Sequence, residues 1–123
     1  MAVTVPILKQ GDVLIASIQA ALTDRGLIEL RDALTAKVGQ FRSRGVIIDV
    51  TALDVMDSFA TRTLRGIAEA TKLRGAHTVI VGIQPDVAFA MVKLGLALGG
   101  MSTALDLEEG LKALAARQLE ARR

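Results

Sequence analysis

The sequence predicts a single-domain α/β fold in which a mixed β-sheet, opened by an N-terminal β-hairpin, carries four α-helices. Short β-branched runs alternate with longer segments whose apolar residues recur every three or four positions. Two interior runs, VIIDV and TVIVGI, are almost unbroken in apolar character, as strands covered on both faces must be. The 123 residues suffice for one hydrophobic core and are too few for two ordinary domains, so one unit is expected over residues 1–123.

The elements follow in order. Val3 to Leu8 and Val13 to Ile18 are β-rich and flank Lys9-Gln10-Gly11-Asp12, a turn signal, which predicts an antiparallel hairpin. From Thr23 the period lengthens: Leu27, Leu30, Leu34, Val38 and Phe41 draw one apolar stripe on a helix reaching about Ser43, with Gly45 as its stop. Val46 to Val50 is the expected middle strand. After the Thr51 to Met56 loop, Asp57 is placed to cap a helix whose inner face is read as Phe59, Thr63, Ile67 and Ala70, ending at Gly75.

Thr78 to Ile83 is a second buried strand, and Pro85-Asp86 opens a shorter helix to about Leu94, stopped by Gly95. Thr103 to Leu105 is a weak last strand. Asp106 with Glu109 three positions on makes a capping box for a closing helix with Leu107, Leu111, Leu114, Gln118 and Leu119 inward. The order β-β-α-β-α-β-α-β-α calls for parallel later strands joined by right-handed crossovers, and in such sheets the loops at the strands' carboxyl ends form the working surface.

Composition narrows the chemistry. Three Phe and no Trp or Tyr leave the core to aliphatic residues and Met. Without Cys, disulfides, thiolate catalysis and Cys-based metal sites are excluded, and a reducing, cytoplasmic setting is expected. MAVTVPILKQGD has no basic start or long apolar core of a signal peptide, and the longest apolar stretch, Val87 to Met101, is broken by Lys93 and glycines, so no membrane span is expected. The net charge of +2 is spread among acids, as in Asp24, Arg25, Glu29, Arg31 and Asp32, which with the missing aromatic rings argues against nucleic-acid binding.

The candidate site is DVMDSFATRT, Asp54 to Thr63, where the middle strand turns into a helix. Ser58 there reads as a cap, a nucleophile or a switch. No G-x-S-x-G elbow surrounds it, and the only histidine, His77, precedes the next strand and so belongs at the other end of the sheet, roughly 20 Å away for a six-residue strand. Asp49, Asp54 and Asp57 invite a metal or carboxylate reading, but no P-loop accompanies them, and GLALGG at Gly95 to Gly100 is no dinucleotide fingerprint; no metal or cofactor is expected. A phosphate on Ser58 brings about 1.5 to 2 negative charges, which the helix start favours by roughly 0.3 to 1 kcal/mol per charge and Asp54 and Asp57 oppose. The fold would stand while the surface potential changed.

The element order together with D-V-M-D-S-F at this turn resembles the STAS domain of the anti-sigma-factor antagonists, over the whole chain. The resemblance implies that Ser58, following Asp57, is phosphorylated by a partner-switching serine kinase. Phe59-Ala60-Thr61-Arg62 stands where sporulation-type members continue with a small residue and Gly-Leu-Gly, so the chain is more similar to the RsbS-type single-domain scaffolds of the stressosome. That implies a non-enzymatic scaffold and kinase antagonist of a stress-response pathway. It would assemble with an RsbR-type co-antagonist, release an RsbT-type kinase on phosphorylation and be reset by an RsbX-type phosphatase, with homo-oligomers left open.

Asp54, Asp57, Phe59, Thr61 and Arg62 would form the partner-binding surround, Thr61 and Arg62 being equally readable as ordinary exposed helix residues. Val87, Met91, Val92, Leu96, Leu98 and Met101 suggest either an apolar contact surface or a helix packing on the sheet. The alternatives are a small-molecule or nucleotide-binding module using the same surface, a sporulation-type anti-sigma-factor antagonist, and a hydrolase built on Ser58.

Overall fold

The computed structural model describes residues 5–95 and 101–121. The hairpin pairs β1 (Ile7–Gln10) antiparallel to β2 (Val13–Ser17), from Ile7 opposite Ala16 to Gln10 opposite Val13. The first strand thus lies later than the Val3 to Leu8 run, of which Val3 and Thr4 fall outside the described residues. Gly11, at φ 60°, closes a two-residue turn with Asp12, and so tight a turn leaves Lys9 and Gln10 free to join the ladder.

Helix α1 (Asp24–Phe41) starts on Thr23, whose Oγ1 accepts from Gly26 N at 3.0 Å. Leu27, Leu30, Leu34 and Val38 are buried as expected, whereas Phe41 is 38% exposed and lies under the ammonium groups of Lys9 and Lys37 at 5.9 and 5.8 Å from the ring centre. The helix stops on Arg42, in the left-handed conformation at φ 51° and ψ 44°, not on Gly45. Gly45 opens β3 (Gly45–Asp49) and is required for room: a Cβ there would come within 2.7 Å of Leu114 Cδ1.

The remaining elements are α2 (Ser58–Leu73), β4 (His77–Val81), α3 (Pro85–Lys93), β5 (Ser102–Ala104) and α4 (Leu107–Ala121). The five strands lie in chain order, β2 to β5 are parallel, and β3 is in the middle. Side chains alternate across the sheet. Leu14, Ala16, Val46, Ile48 and Ile80 face a core shared with α1, α2 and α3, while Val13, Ile15, Ile47, Val79 and Val81 face Leu114 of α4. Coverage on both sides is why the interior strands carry no polar alternation.

Helix α2 is rotated from its expected face, and α4 departs from its expected stripe at one residue. On α2 the buried residues are Thr61, Leu64, Ile67, Ala68 and Thr71, sharing only Ile67 with the predicted stripe. The threonines can turn inward because their hydroxyls bond back along the helix: Thr61 donates to Asp57 O at 3.0 Å, and Thr71 to Ile67 O at 2.9 Å. On α4, Leu114 is buried and Gln118 donates to Asp12 Oδ2 at 3.0 Å, but Leu119 is 63% exposed, one position off the stripe that runs through 107, 111, 114 and 118.

Thr71 also meets Thr78 of β4, hydroxyl to hydroxyl at 2.9 Å, both buried. Thr71→Val is expected to lower stability by about 1 to 2 kcal/mol because it strands the Thr78 hydroxyl. Adding Thr78→Val should recover most of the loss, as a double-mutant cycle in urea would measure.

Candidate functional site

The carboxyl end of β3 leads into a short connection whose apolar residues are its anchors: Leu53 and Met56 are buried, while Asp54 and Val55 are exposed. Asp49, the last residue of the strand, accepts from Thr51 N at 2.9 Å and Thr51 Oγ1 at 2.6 Å, which folds the chain back at once. Gln84, at the start of α3, donates its amide to Thr51 O at 2.7 Å and ties the neighbouring connection to this one. The turn that presents Ser58 is therefore braced from two strands.

Asp57 is the N-cap of α2, its Oδ1 accepting from Ala60 N at 2.8 Å. Ser58 is the first helical residue and is half-buried. Because Asp57 takes the capping role, the serine side chain is not needed to start the helix, and the first turn contains no acidic residue. Asp57→Ala is expected to cost about 1 kcal/mol by equilibrium unfolding, whereas Ser58→Ala should stay within about 0.5 kcal/mol of the parent.

The structure brings Asp54, Asp57, Ser58 and Arg62 to one end of the sheet, Arg62 exposed one turn beyond the serine, with Phe59 half-buried beside them. Thr61 does not join them. It is 1% exposed and belongs to the core, because the helix is turned by its hydroxyl bond to the Asp57 carbonyl. Its expected place in the partner surround is corrected accordingly.

An apolar cleft, missed in the sequence reading, lies alongside: a cavity of about 80 Å³ among Leu22, Leu27, Val55, Met56, Asp57 and Ala60. Val55, 66% exposed between two acidic residues, was its one legible signal. On α3, Val87 and Met91 are core residues and Val92 is 77% exposed; Met101 packs partly buried against the core, and Leu96 and Leu98 lie outside the described residues.

His77 pairs with Gly45 at the start of β3, so it sits at the opposite end of the sheet from Ser58. Its Nε2 lies 2.7 Å from Ser102 Oγ, and burial, then the Arg117 and Lys72 charges, lower its pKa below the usual histidine value. Among the described residues no group of three or more His, Cys, Asp or Glu is arranged to hold a metal ion, and no helix is long and apolar enough to cross a membrane.

A family model described as the STAS domain matches residues 4–109. The solved RsbS S58E of Moorella thermoacetica superposes with a TM-score of 0.80 at 37% identity, covering 97% of this chain and 98% of that one. A chain of the structure describing the molecular architecture of the stressosome, a signal integration and transduction hub, gives 0.75 at 35% identity over 92% and 98%. The RsbT co-antagonist protein RsbRA of Bacillus subtilis (strain 168) is 33% identical over 75 residues, 61% of this chain and 27% of the relative. The match therefore spans about a quarter of that curated relative's length.

Proposed function

This chain belongs to the STAS domain family, and from that premise we propose that it is a non-enzymatic, phosphorylation-switched scaffold and kinase antagonist of a stress-response partner-switching pathway, a component of a stressosome-like assembly. The observation that carries the reading is Ser58: partly exposed beyond the carboxyl end of the central strand, at the first position of a helix that Asp57 already caps. Similarity to RsbS over nearly the whole chain supports the single-domain scaffold role, and similarity to RsbRA supports an RsbR-type co-antagonist as partner. The anti-sigma-factor antagonist SpoIIAA, at 16% identity, shares the fold alone.

Unmodified protein holds an RsbT-type serine kinase on the surface formed by Asp54, Asp57, Phe59 and Arg62. Phosphorylation of Ser58 adds about two negative charges beside Asp54 and Asp57, and the kinase is released by like-charge repulsion and lost fit. An RsbX-type phosphatase restores the hydroxyl. The hydrolase alternative is disfavoured by His77, which bonds Ser102 at the far end of the sheet.

The test is to incubate the protein with an RsbT-type kinase and ATP and locate the phosphate by mass spectrometry. A single phosphate on Ser58 is the expected result. Labelling at another residue, or none, removes the switch.

A further inference from the structure

The end of the sheet away from Ser58 gathers positive charge. Arg44 leads into β3, His77 opens β4, Lys72 lies in the last turn of α2, and Arg117 comes from the carboxyl half of α4. With Gln118 they wall a cavity of about 240 Å³. Arg44 and Gly75 also border a second cavity, of about 490 Å³, whose wall carries Arg42, Ser43 and Arg74. Five cationic side chains, Arg42 and Arg74 at the C-caps of α1 and α2, Arg44 before β3, Lys72 on α2 and Arg117 on α4, thus border two adjoining hollows.

Among the described residues, none of the five forms a salt bridge with a carboxylate. Ion pairs of Arg25 with Glu29, Arg31 with Asp32, and Lys112 with Glu108 lie elsewhere. Two acids are near. Asp12 is engaged by the Gln118 amide, and Glu69 borders the neighbouring hollow beside Lys72 and His77 without a salt bridge to either. Cations at the ends of α1 and α2 do offset helix dipoles, but Arg44 precedes a strand and gains nothing from that source.

Two further polar groups lie at the adjoining second hollow. Ser43, between Arg42 and Arg44, is 4% exposed, and its hydroxyl has no hydrogen-bond partner. Arg42, whose left-handed backbone ends α1, also lines this second hollow.

We propose that this basic pole is a binding site for a small phosphate-bearing anion, contacted by Arg44, Lys72 and Arg117 and oriented by Gln118. Guanidinium forks match the geometry of phosphate oxygens, and Lys72 adds a point charge. The hollow accommodates a pyrophosphate or the phosphate end of a nucleotide. The site is separate from Ser58, at the other end of β3, roughly 16 Å away by the length of a five-residue strand. It does not rest on the partner-switching role.

The experiment titrates the full chain with sodium pyrophosphate by isothermal calorimetry in phosphate-free buffer, with sodium chloride of equal ionic strength as the control. One saturable site is expected, weakened about tenfold by Lys72→Gln and about tenfold by Arg117→Gln, the loss of one charged hydrogen bond each. Circular dichroism of each variant should match the parent, and Ser58→Ala should bind pyrophosphate unchanged. Repeating the titration with ADP separates sources: tighter binding than pyrophosphate identifies a nucleotide, equal or weaker binding an inorganic or simpler phosphate, and both support the site. Absence of saturable binding overturns the proposal. So does equal competition by chloride, parental affinity in both variants, or binding only to phosphatidylserine vesicles.

Discussion

Ser58→Asp is expected to weaken capture of an RsbT-type kinase by roughly 30- to 150-fold, about 2 to 3 kcal/mol, while leaving the melting temperature almost unmoved. The two halves of that result have separate causes. A carboxylate at the first position of α2 meets the positive end of the helix and unpaired N–H groups, a gain of about 0.3 to 1 kcal/mol, and the neighbouring Asp57 and Asp54 offset most of it. Stability therefore changes little. At the proposed docking surface the same charge would stand among Asp54 and Asp57 in the path of an approaching kinase, and desolvating it against the partner is costly. Ser58→Ala, which removes the hydroxyl without adding charge, should retain capture. Pull-down or calorimetric titration against the kinase reads both variants; equal affinity of Ser58→Asp and the parent would falsify the switch.

The second large effect is expected away from the serine. Gly82→Ala should destabilise the domain by about 3 kcal/mol, lowering the melting temperature by roughly 10 °C. Gly82 follows β4 at φ 79°, a conformation that costs a residue with a side chain about 1 to 2 kcal/mol. An added Cβ would collide with Thr51 Oγ1 and lie 3.0 Å from Thr51 Cβ and 3.2 Å from Thr51 Cα, so backbone must move. Thr51 cannot yield easily, being held by Asp49 on one side and Gln84 on the other. Urea unfolding measures the loss. Thr51→Gly in the Gly82→Ala background should restore the steric part and leave the conformational part; a loss below about 1 kcal/mol for Gly82→Ala alone would show that the turn adapts. Because this contact braces the connection leading to Ser58, the substitution should also weaken kinase capture.

Element order, the central place of β3 and the capping role of Asp57 were legible in the chain because they depend on local chemistry. Apolar runs too continuous for a one-sided sheet mark buried strands, and a carboxylate three residues before a free N–H caps a helix wherever it is placed. The capping residue was readable for the same reason at Asp106, whose carboxylate accepts from Glu109 N at 2.9 Å.

Helix rotation was not legible. Thr61 and Thr71 look polar in the sequence, yet they lie inward because hydroxyl bonds to their own helix remove the penalty of burial, and this turned the true face of α2 away from the expected one. The stop of α1 escaped for a different reason: Gly45 looked like a terminator, but its small size serves Leu114, which is 69 positions away in sequence (114 − 45).

Sequence by itself thus determined which segments are strands and helices, and that a serine stands where the central strand becomes a helix. Only the tertiary structure decided which side chains share a surface: Thr61 withdrawn from the site, Val55 and Leu22 brought beside it, and Arg44, Lys72 and Arg117 assembled at the opposite pole. The reason is range. Capping and periodicity act over three or four neighbouring residues, whereas a cleft or a charge cluster depends on distances between segments that the chain meets only after the sheet has closed.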